Sequence, residues 1–465
     1  MTDAKAKFVE GSLWRHVSVM AFTASVGLMA MFAVDFIDMI FISMLGNAAL
    51  AAAVGYAGAF LFFTNSINIG LSIAAGTLVA RAIGAGKRKD AAEYATSVAI
   101  YGVATSLVIV AICFPTLPFL LSMLGAEGEV LDLAVRYVRF ILPTMPLMSV
   151  AIVAMAVLRA NGDARRSMMA TLVGGVVNAV LDPLLIFGLE LGLDGAAIAS
   201  IIARITMLIV PMVSVLKIHE GFTVPSGSLA IRDFRPVSII AFPAVMTSLA
   251  TPFGSAIVTR EIAAFGTDAV AGMAIIGRLT PVAFAVVLAL SGAIGPIIGQ
   301  NLGAGKIERI RSAFLVAIAF TGLYVLAVAA ILFAARSTIA GLFQADGETL
   351  KLLYLFCGPL ALASFFNGVI FIANAAFNNL GHPVYATLTN WGRHSLGTWP
   401  FAIIGAQMAG APGVLIGQAV GGILFAGVAT VVALKVIAQI SVPSRLEEFG
   451  VHSRLHNLSL RAGPR

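Results

Sequence analysis

Long apolar runs recur twelve times along the chain, and they constrain its fold more than any other feature. Each run is about 20 residues long, the length at which a helix crosses about 30 Å of hydrocarbon. The runs lie near residues 17–43, 54–80, 94–120, 133–157, 168–188, 195–216, 237–260, 270–298, 312–335, 351–376, 384–406 and 413–437. A chain with 60% hydrophobic and 11% charged residues does not have the composition of a soluble protein. We therefore predict an all-α polytopic membrane protein with twelve transmembrane helices.

Basic residues collect in alternate connections between the predicted spans. Lys87 and Arg165 are typical of these connections, whereas Glu127 and Asp346 are typical of the intervening ones. With an even number of spans, the positive-inside rule then places both termini in the cytoplasm and the protein in the inner membrane. Residues 1–11 lack the apolar region and small-residue cleavage site of a signal peptide. This orientation accounts for the net charge of +7, so we expect no nucleic-acid partner.

An internal repeat divides the chain into two halves. The segment Arg15–Phe22 is repeated at Arg235–Phe242, and the turn Gly84-Ala-Gly-Lys87 is repeated at Gly303-Ala-Gly-Lys306. Six spans per half is an even number, so both halves enter the membrane in the same orientation and are related by a pseudo-two-fold axis along the membrane normal. The predicted domains are an amino-terminal six-helix bundle, a cytoplasmic linker, a carboxy-terminal six-helix bundle and a cytoplasmic basic tail, at residues 1–216, 217–236, 237–437 and 438–465.

One acidic residue, Asp182, lies inside a run that otherwise belongs in hydrocarbon. A charged side chain at the centre of a bilayer helix costs about 2.5 to 3.5 kcal/mol on insertion scales, which makes it a functional candidate. Asn178 lies four residues earlier and therefore on the same helical face. Pro183 removes a backbone donor, so the helix should bend at this point. The alternative interpretation is a hydrogen-bonded contact between helices without a functional role.

Several motifs in this order resemble one known family. They are Asp38 eight residues before Gly46, the Gly-Ala-Gly-Lys turn in both halves, Leu158-Arg-Ala-Asn-Gly-Asp163, and Asn178 followed by Asp182-Pro183. This set is similar to the multidrug and toxic compound extrusion (MATE) family over nearly the whole chain. The resemblance implies a secondary antiporter that exports organic cations and amphiphiles in exchange for protons or sodium ions.

The resemblance also implies a site in the amino-terminal half. Proton-coupled prokaryotic members carry acidic residues on spans one and five, which fall here on Asp38 and Asp182. Asn178, Tyr137 and Ser200 lie where the family has polar partners of that site, although Ser200 replaces a more usual threonine. Sodium-coupled relatives often carry a glutamate in span seven, where this chain has Thr251. That departure favours protons as the coupling ion.

Other polar residues in the spans are weaker candidates. Asp35 shares a face with Asp38 and either titrates with it, pairs with a nearby cation or lines the cavity. Thr251, Asn374 and His394 are candidates for the polar cavity, and His394 is either a proton carrier or a packed, hydrogen-bonded side chain. The two cysteines, Cys113 and Cys357, have no metal or redox spacing. We expect no metal and no cofactor.

The predicted function is a proton-coupled exporter of cationic or amphiphilic drugs or metabolites. The protein should act as a monomer whose partners are its small-molecule substrate, a proton or sodium ion, and the lipid bilayer. One alternative is a flippase for lipid-linked precursors, with a pyrophosphate site built from Arg136, Arg139, Arg278 and Arg393. A second alternative, an intramembrane enzyme, is disfavoured because the spans contain no metalloprotease, paired-aspartate or serine/histidine motif.

Overall fold

The computed structural model describes residues 6–440, and over this range the chain is built from helices. A short 3₁₀ helix, Lys7–Val9, precedes the long helices. The long helices are α1 (Leu13–Ser43), α2 (Ala48–Gly84), α3 (Arg88–Met123), α4 (Gly128–Ala160), α5 (Ala164–Gly188), α6 (Gly192–His219), α7 (Gly227–Ala263), α8 (Thr267–Ala283 continuing as Ala285–Gly303), α9 (Ile307–Leu342), α10 (Gly347–Asn379), α11 (383–408) and α12 (411–438).

Helices α11 and α12 form a tight antiparallel hairpin. The backbone leaves helical geometry at Ala409 and Gly410, and Gly410 has a φ of 65°, a value that suits glycine. Beyond this turn the two backbones almost touch, because a Cβ added to Gly413 would lie 1.8 Å from the Gly405 carbonyl oxygen. The eleven continuous apolar segments of the described chain therefore make twelve spans. The predicted fold class is confirmed, and every predicted span is largely helical, although a turn at 395–398 interrupts the span predicted at 384–406 and Phe284 interrupts the one at 270–298.

The two ends of the bundle differ in charge. We call the end that contains residues 6–12 and the turns after α2, α4, α6, α8 and α10 the terminal face, and the other end the opposite face. Turns at the terminal face carry basic residues such as Lys87, Arg165 and Lys306, whereas Glu129 and Asp268 lie at the opposite face. This is the alternation expected from the positive-inside rule.

The two halves meet in a reciprocal contact at the terminal face. A Cβ added to Gly84 would lie 2.0 Å from the Gln300 carbonyl oxygen, and one added to Gly303 would lie 2.0 Å from that of Arg81. The side-chain hydrogen bonds between the halves are also reciprocal. Arg81 Nε donates to Asn379 O (2.9 Å), and Gln300 Nε2 donates to Ala160 O (2.7 Å). Because these residues are equivalent in the sequence repeat, the contact has the form of a pseudo-two-fold interface.

Residues 6–11 form a strap across the terminal face of both halves. Phe8 is buried among α8 and α9 residues. Its amide donates to Gln300 Oε1 (2.8 Å), and its carbonyl accepts from Asn301 Nδ2 and Arg309 Nε (both 3.1 Å). Lys7 Nζ donates to Gly162 O in the first half (2.8 Å). The strap therefore joins the two halves in this conformation.

Helix α7 begins at Gly227, within the segment predicted as a linker at residues 217–236. Only 220–226 lacks helical structure there. The first turns of α7 pack on α3, where the buried Asp233 carboxylate accepts a hydrogen bond from Ser97 Oγ (2.6 Å) and Arg232 Nη1 donates to Glu93 Oε2 (2.9 Å). Most of the predicted basic tail, residues 438–465, lies outside the described residues.

The start of α5 is fixed by Asp163. Its carboxylate caps the helix by accepting from the Arg166 amide (3.2 Å) and side chain (2.5 Å), and it also contacts His219 Nε2 (3.1 Å). Burial opposes ionisation of this carboxyl group, but the hydrogen bonds from His219 and Arg166 outweigh it and hold its pKa well below the usual range. This cap ties the start of α5 to the end of α6.

Candidate functional site

Asp38, Asn178 and Asp182 meet inside the first half, and we call these three residues the acidic centre. Asn178 Nδ2 donates to Asp38 Oδ1 across the α1–α5 contact (2.9 Å) and to Asp182 Oδ2 one turn further along α5 (2.8 Å). A single amide nitrogen, with its two N–H groups, thus bridges two carboxyl groups. The sequence placed both acids at a similar depth, and the structure brings them together.

Small residues allow α1 and α5 to approach closely enough for this bridge. A Cβ added to Gly175 would lie 2.9 Å from Val34 Cγ2, and one added to Gly27 would lie 3.2 Å from Thr171 Oγ1. Beyond the acidic centre, α5 changes at Pro183 into a π-helical turn, Leu184–Gly188. Pro183 cannot donate to the Ala179 carbonyl, which explains why the α-helical pattern ends here as predicted.

The acidic centre is shielded from solvent. Asp182 is 0% exposed and Asn178 4% exposed, while Asp38 is half-buried. Asp182 Oδ2 accepts from Asn178, but Oδ1 has no hydrogen-bond partner among the residues described. Two ionised carboxylates in such a place repel each other and lack hydration, so the arrangement favours neutralisation by a bound cation. A proton is the smallest cation that fits this requirement.

Polar side chains from α4 and α6 flank the acidic centre. Tyr137 is buried on α4 and lies beside Ser200 on α6. Arg204, one turn after Ser200, lies near Tyr137 and donates from Nη1 to Thr144 Oγ1 (2.9 Å). Arg204 was not among the predicted site residues, although a lone arginine within a predicted span meets the same criterion as Asp182.

Asp35 does not join the acidic centre. Its side chain is exposed on α1, and the hydrogen bonds of Asn178 go to Asp38 and Asp182 instead. Phe36 and Met39 on the same stretch of α1 are also exposed. Phe22, nearer the terminal face, is also exposed on one side, although it packs against Phe320 of α9 at 5.6 Å between ring centroids. Arg278 on α8 lies across from Phe36 and Met39, and we call the space between α1 and α8 at this level the cleft.

Within the described part of the second half, the positions equivalent to the acidic centre carry no acidic residue. The repeat places Val258, Gly397 and Phe401 at the positions of Asp38, Asn178 and Asp182. Of the other candidates, Thr251 is exposed on α7, and Asn374 is buried on α10 five residues before its end at the terminal face. Neither lies with the acidic centre, which is confined to α1 and α5.

His394 fills a helix crossing in the second half. It is 5% exposed, and a Cβ added to Gly254 on α7 would lie 2.0 Å from His394 Nδ1. At the equivalent crossing in the first half the large and the small residue exchange places, because Val34 on α1 packs against Gly175 on α5. His394 thus occupies space that its helical partner leaves empty, which supports packing as its role. Its Nδ1 has no hydrogen-bond partner among the described residues, so the hydrogen-bonded part of that alternative is not supported.

We predict that His394→Gln leaves the pH dependence of transport unchanged, because the side chain is packed between helices and lies in the half without the acidic centre. The measurement is the initial transport rate across a pH series, compared with wild type. Asp38→Asn is the contrasting variant and should change the profile. A displaced pH optimum in His394→Gln would show that the histidine carries a proton after all.

Comparison with known proteins agrees with this architecture. The MatE family model matches residues 24–184 and again residues 243–404. One copy of the match covers each half, and the two copies begin at equivalent points of the sequence repeat. The chain belongs to the MATE family. The resemblance inferred from the motifs is confirmed, and the chain is a membrane transporter rather than an enzyme.

Two relatives of this chain are named for different substrates. The chain is 29% identical over 399 residues to an FAD transporter of Shewanella oneidensis, covering 84% of this chain and 88% of the relative. It is 24% identical over 323 residues to the multidrug export protein MepA of Staphylococcus aureus, covering 68% and 70%. Family membership therefore shows a transporter of small molecules and leaves a choice of substrates.

Solved MATE structures share the fold. A mutant of the Vibrio cholerae MATE transporter VcmN superimposes with a TM-score of 0.88 at 27% identity, covering 92% of this chain and 98% of that one. The bent form of VcmN gives a TM-score of 0.86 over 92% and 97%. The two-lobed arrangement of twelve spans is thus that of MATE transporters.

Proposed function

We propose that this protein is a secondary antiporter that exports amphiphilic organic molecules, including cations, in exchange for protons. The observation that carries the proposal is the bridge from one buried amide to two carboxyl groups in the acidic centre. Two buried carboxyl groups that lack hydrating water bind a cation instead. Because it occurs in one half only, a single coupling site per chain is expected.

The coupling mechanism follows from a difference between two conformations. In the observed conformation the terminal face is closed by the glycine contact and the strap, and we propose that the cleft opens to the opposite face. We propose that the terminal face is cytoplasmic and the opposite face external. An external proton neutralises the acidic centre, α5 bends at Pro183, and a cationic substrate loses its attraction and leaves outward. The free energy that the proton contributes to this step equals the difference between its binding free energies in the two conformations.

The halves defined by the repeat, residues 1–216 and 237–437, would be the rocking units of a monomer. Helix α7 starts inside the proposed linker, so the non-helical part of the connection is limited to 220–226. The substrate is proposed to be a drug-like or metabolite amphiphile, since the relatives include a multidrug export protein and an FAD transporter.

The flippase alternative has less support. Arg136 pairs with Asp194 at the opposite face, and Arg139 lies over the Phe114 ring within the first half. Arg393 Nη2 donates to Asn367 Oδ1 inside the second half (2.5 Å). These three arginines face different surroundings, so they do not combine with Arg278 into one pyrophosphate site.

The proposal predicts that a pH gradient alone drives export and that Asp38→Asn removes this response. The measurement is efflux of a cationic dye from proteoliposomes in which pH and sodium gradients are imposed separately. Asp132→Asn is the matched control, because it makes the same chemical change at an exposed position of α4. Transport by Asp38→Asn that follows the pH gradient as in wild type would refute the mechanism. Export driven only by sodium would replace the proton by sodium as the coupling ion.

A further inference from the structure

Arg278 projects from the second half toward the first. On α8, the face that carries Gly272 and Ile276 is buried in the second half, and Arg278 lies on the other side of the helix. Its guanidinium group is exposed and reaches α1, with Cζ 5.9 Å from the centroid of the Phe36 ring and Nη2 3.9 Å from Met39 Sδ. Arg278 therefore stands in the cleft between the halves.

This guanidinium group has no acidic partner in residues 6–440. No carboxylate of this range lies within 4.0 Å of it, and neighbouring Asp35 is exposed rather than paired with it. Arg278 lies eleven residues into α8 from the opposite face, which corresponds to about 16 Å at 1.5 Å per residue. A permanent cation at this depth is tolerated where it faces a water-filled cavity, so the exposed guanidinium group is available to a ligand.

The surroundings of Arg278 suit an aromatic molecule. Phe36 is 48% exposed and Met39 is 37% exposed, so a ring surface and a flexible thioether are available beside the cation. The guanidinium group offers a planar pair of donors that matches carboxylate and phosphate oxygens. The methionine side chain adapts to rings of different shape. Together the three side chains provide a charged contact and a stacking surface next to each other.

We propose that Arg278, Phe36 and Met39 form a substrate subsite for an aromatic anion, with the ring on Phe36 and a carboxylate or phosphate on Arg278. The subsite rests on the proposed export function and adds to its substrate class amphiphiles that carry an anionic group beside a planar ring. Asp35, exposed on the same helix, would in addition accept an amine from zwitterionic members of this class. The subsite is separate from the acidic centre, which binds the coupling proton.

The test compares molecules that differ in one charge. One pair is riboflavin and its phosphate monoester, and the other is a xanthene dye with a free carboxylate and its methyl ester. Dissociation constants are measured by fluorescence titration on purified full-length protein, without any gradient. Wild type should bind the anionic member of at least one pair about tenfold more tightly, as one charged hydrogen bond allows. A preference restricted to one pair identifies phosphate or carboxylate as the group recognised.

The variant Arg278→Gln should lose this preference while binding of the uncharged members stays within about twofold, because the ring contact remains. Arg278→Lys should keep part of it, since lysine retains the charge but not the paired donors. Arg336→Gln is the matched control, because Arg336 also lies over a ring, Phe333, at 4.1 Å, but on α9 rather than across the cleft.

Three results would overturn the subsite: no preference in wild type, a preference that survives in Arg278→Gln, or equal loss for anionic and uncharged members. Binding is measured without a gradient, so failure of proton coupling is a separate result. A protein that binds aromatic anions through Arg278 but ignores pH gradients would contradict the antiport mechanism and leave the subsite intact.

Discussion

Asparagine in place of Asp182 should reduce proton-driven export about 100-fold or more, down to the leak of empty liposomes. The substitution keeps the shape of the side chain and its ability to accept from Asn178, but it removes one of the two charges of the acidic centre. A proton that no longer binds one conformation better than the other cannot shift the population between them. The measurement is initial efflux in proteoliposomes under an imposed pH gradient.

Asn178→Ala provides the companion variant for the acidic centre. It leaves both carboxyl groups but removes their shared donor, so a loss of about tenfold is expected from hydrogen bonds to charged groups. Circular dichroism and melting temperature check that the variants fold. Wild-type export by folded Asp182→Asn or by folded Asn178→Ala would contradict the proposed unit.

The sequence could predict which residues form the acidic centre but not that they lie close together. Counting residues from Gly46 and Gly188 places Asp38 and Asp182 at similar depth, because a helix rises 1.5 Å per residue. Which helices are neighbours depends on packing between spans, and one apolar run resembles another. The structure shows that α1 and α5 are neighbours, because they approach each other closely at Gly27 and Gly175.

Residue polarity alone did not predict the structure at two other places in the chain. Residues 227–236 contain enough charge to suggest a linker, yet they are helical because Glu93 and Ser97 of α3 satisfy Arg232 and Asp233. His394 was equally ambiguous, since its partner is a glycine on another helix. In both cases the deciding contact comes from a distant part of the chain, which no local pattern describes.

Alanine in place of Gly84 or Gly303 should prevent closure of the terminal face and so stop export. In each case the new methyl group would lie 2.0 Å from a backbone carbonyl oxygen of the other half, where no side-chain rotation relieves the clash. Overpacking of this kind costs about 1–3 kcal/mol or more, and each 1.4 kcal/mol changes a population ratio tenfold. Each variant should therefore shift the equilibrium toward a conformation open at the terminal face, and the double variant further.

The shift can be measured as a distance between spin labels at Lys89 and Glu308, two exposed and equivalent positions at the terminal face. The labels are attached to introduced cysteines after Cys113 and Cys357 are replaced by alanine. Gly76→Ala is the matched control, because it lies on the same helix as Gly84 and its added Cβ meets nothing within 4 Å. Longer label distances and lost export are expected for Gly84→Ala and Gly303→Ala, with wild-type behaviour for Gly76→Ala. Unchanged distances together with normal export would mean that the halves do not need this contact to close, and the rocking of two rigid bundles about the glycine interface would have to be abandoned.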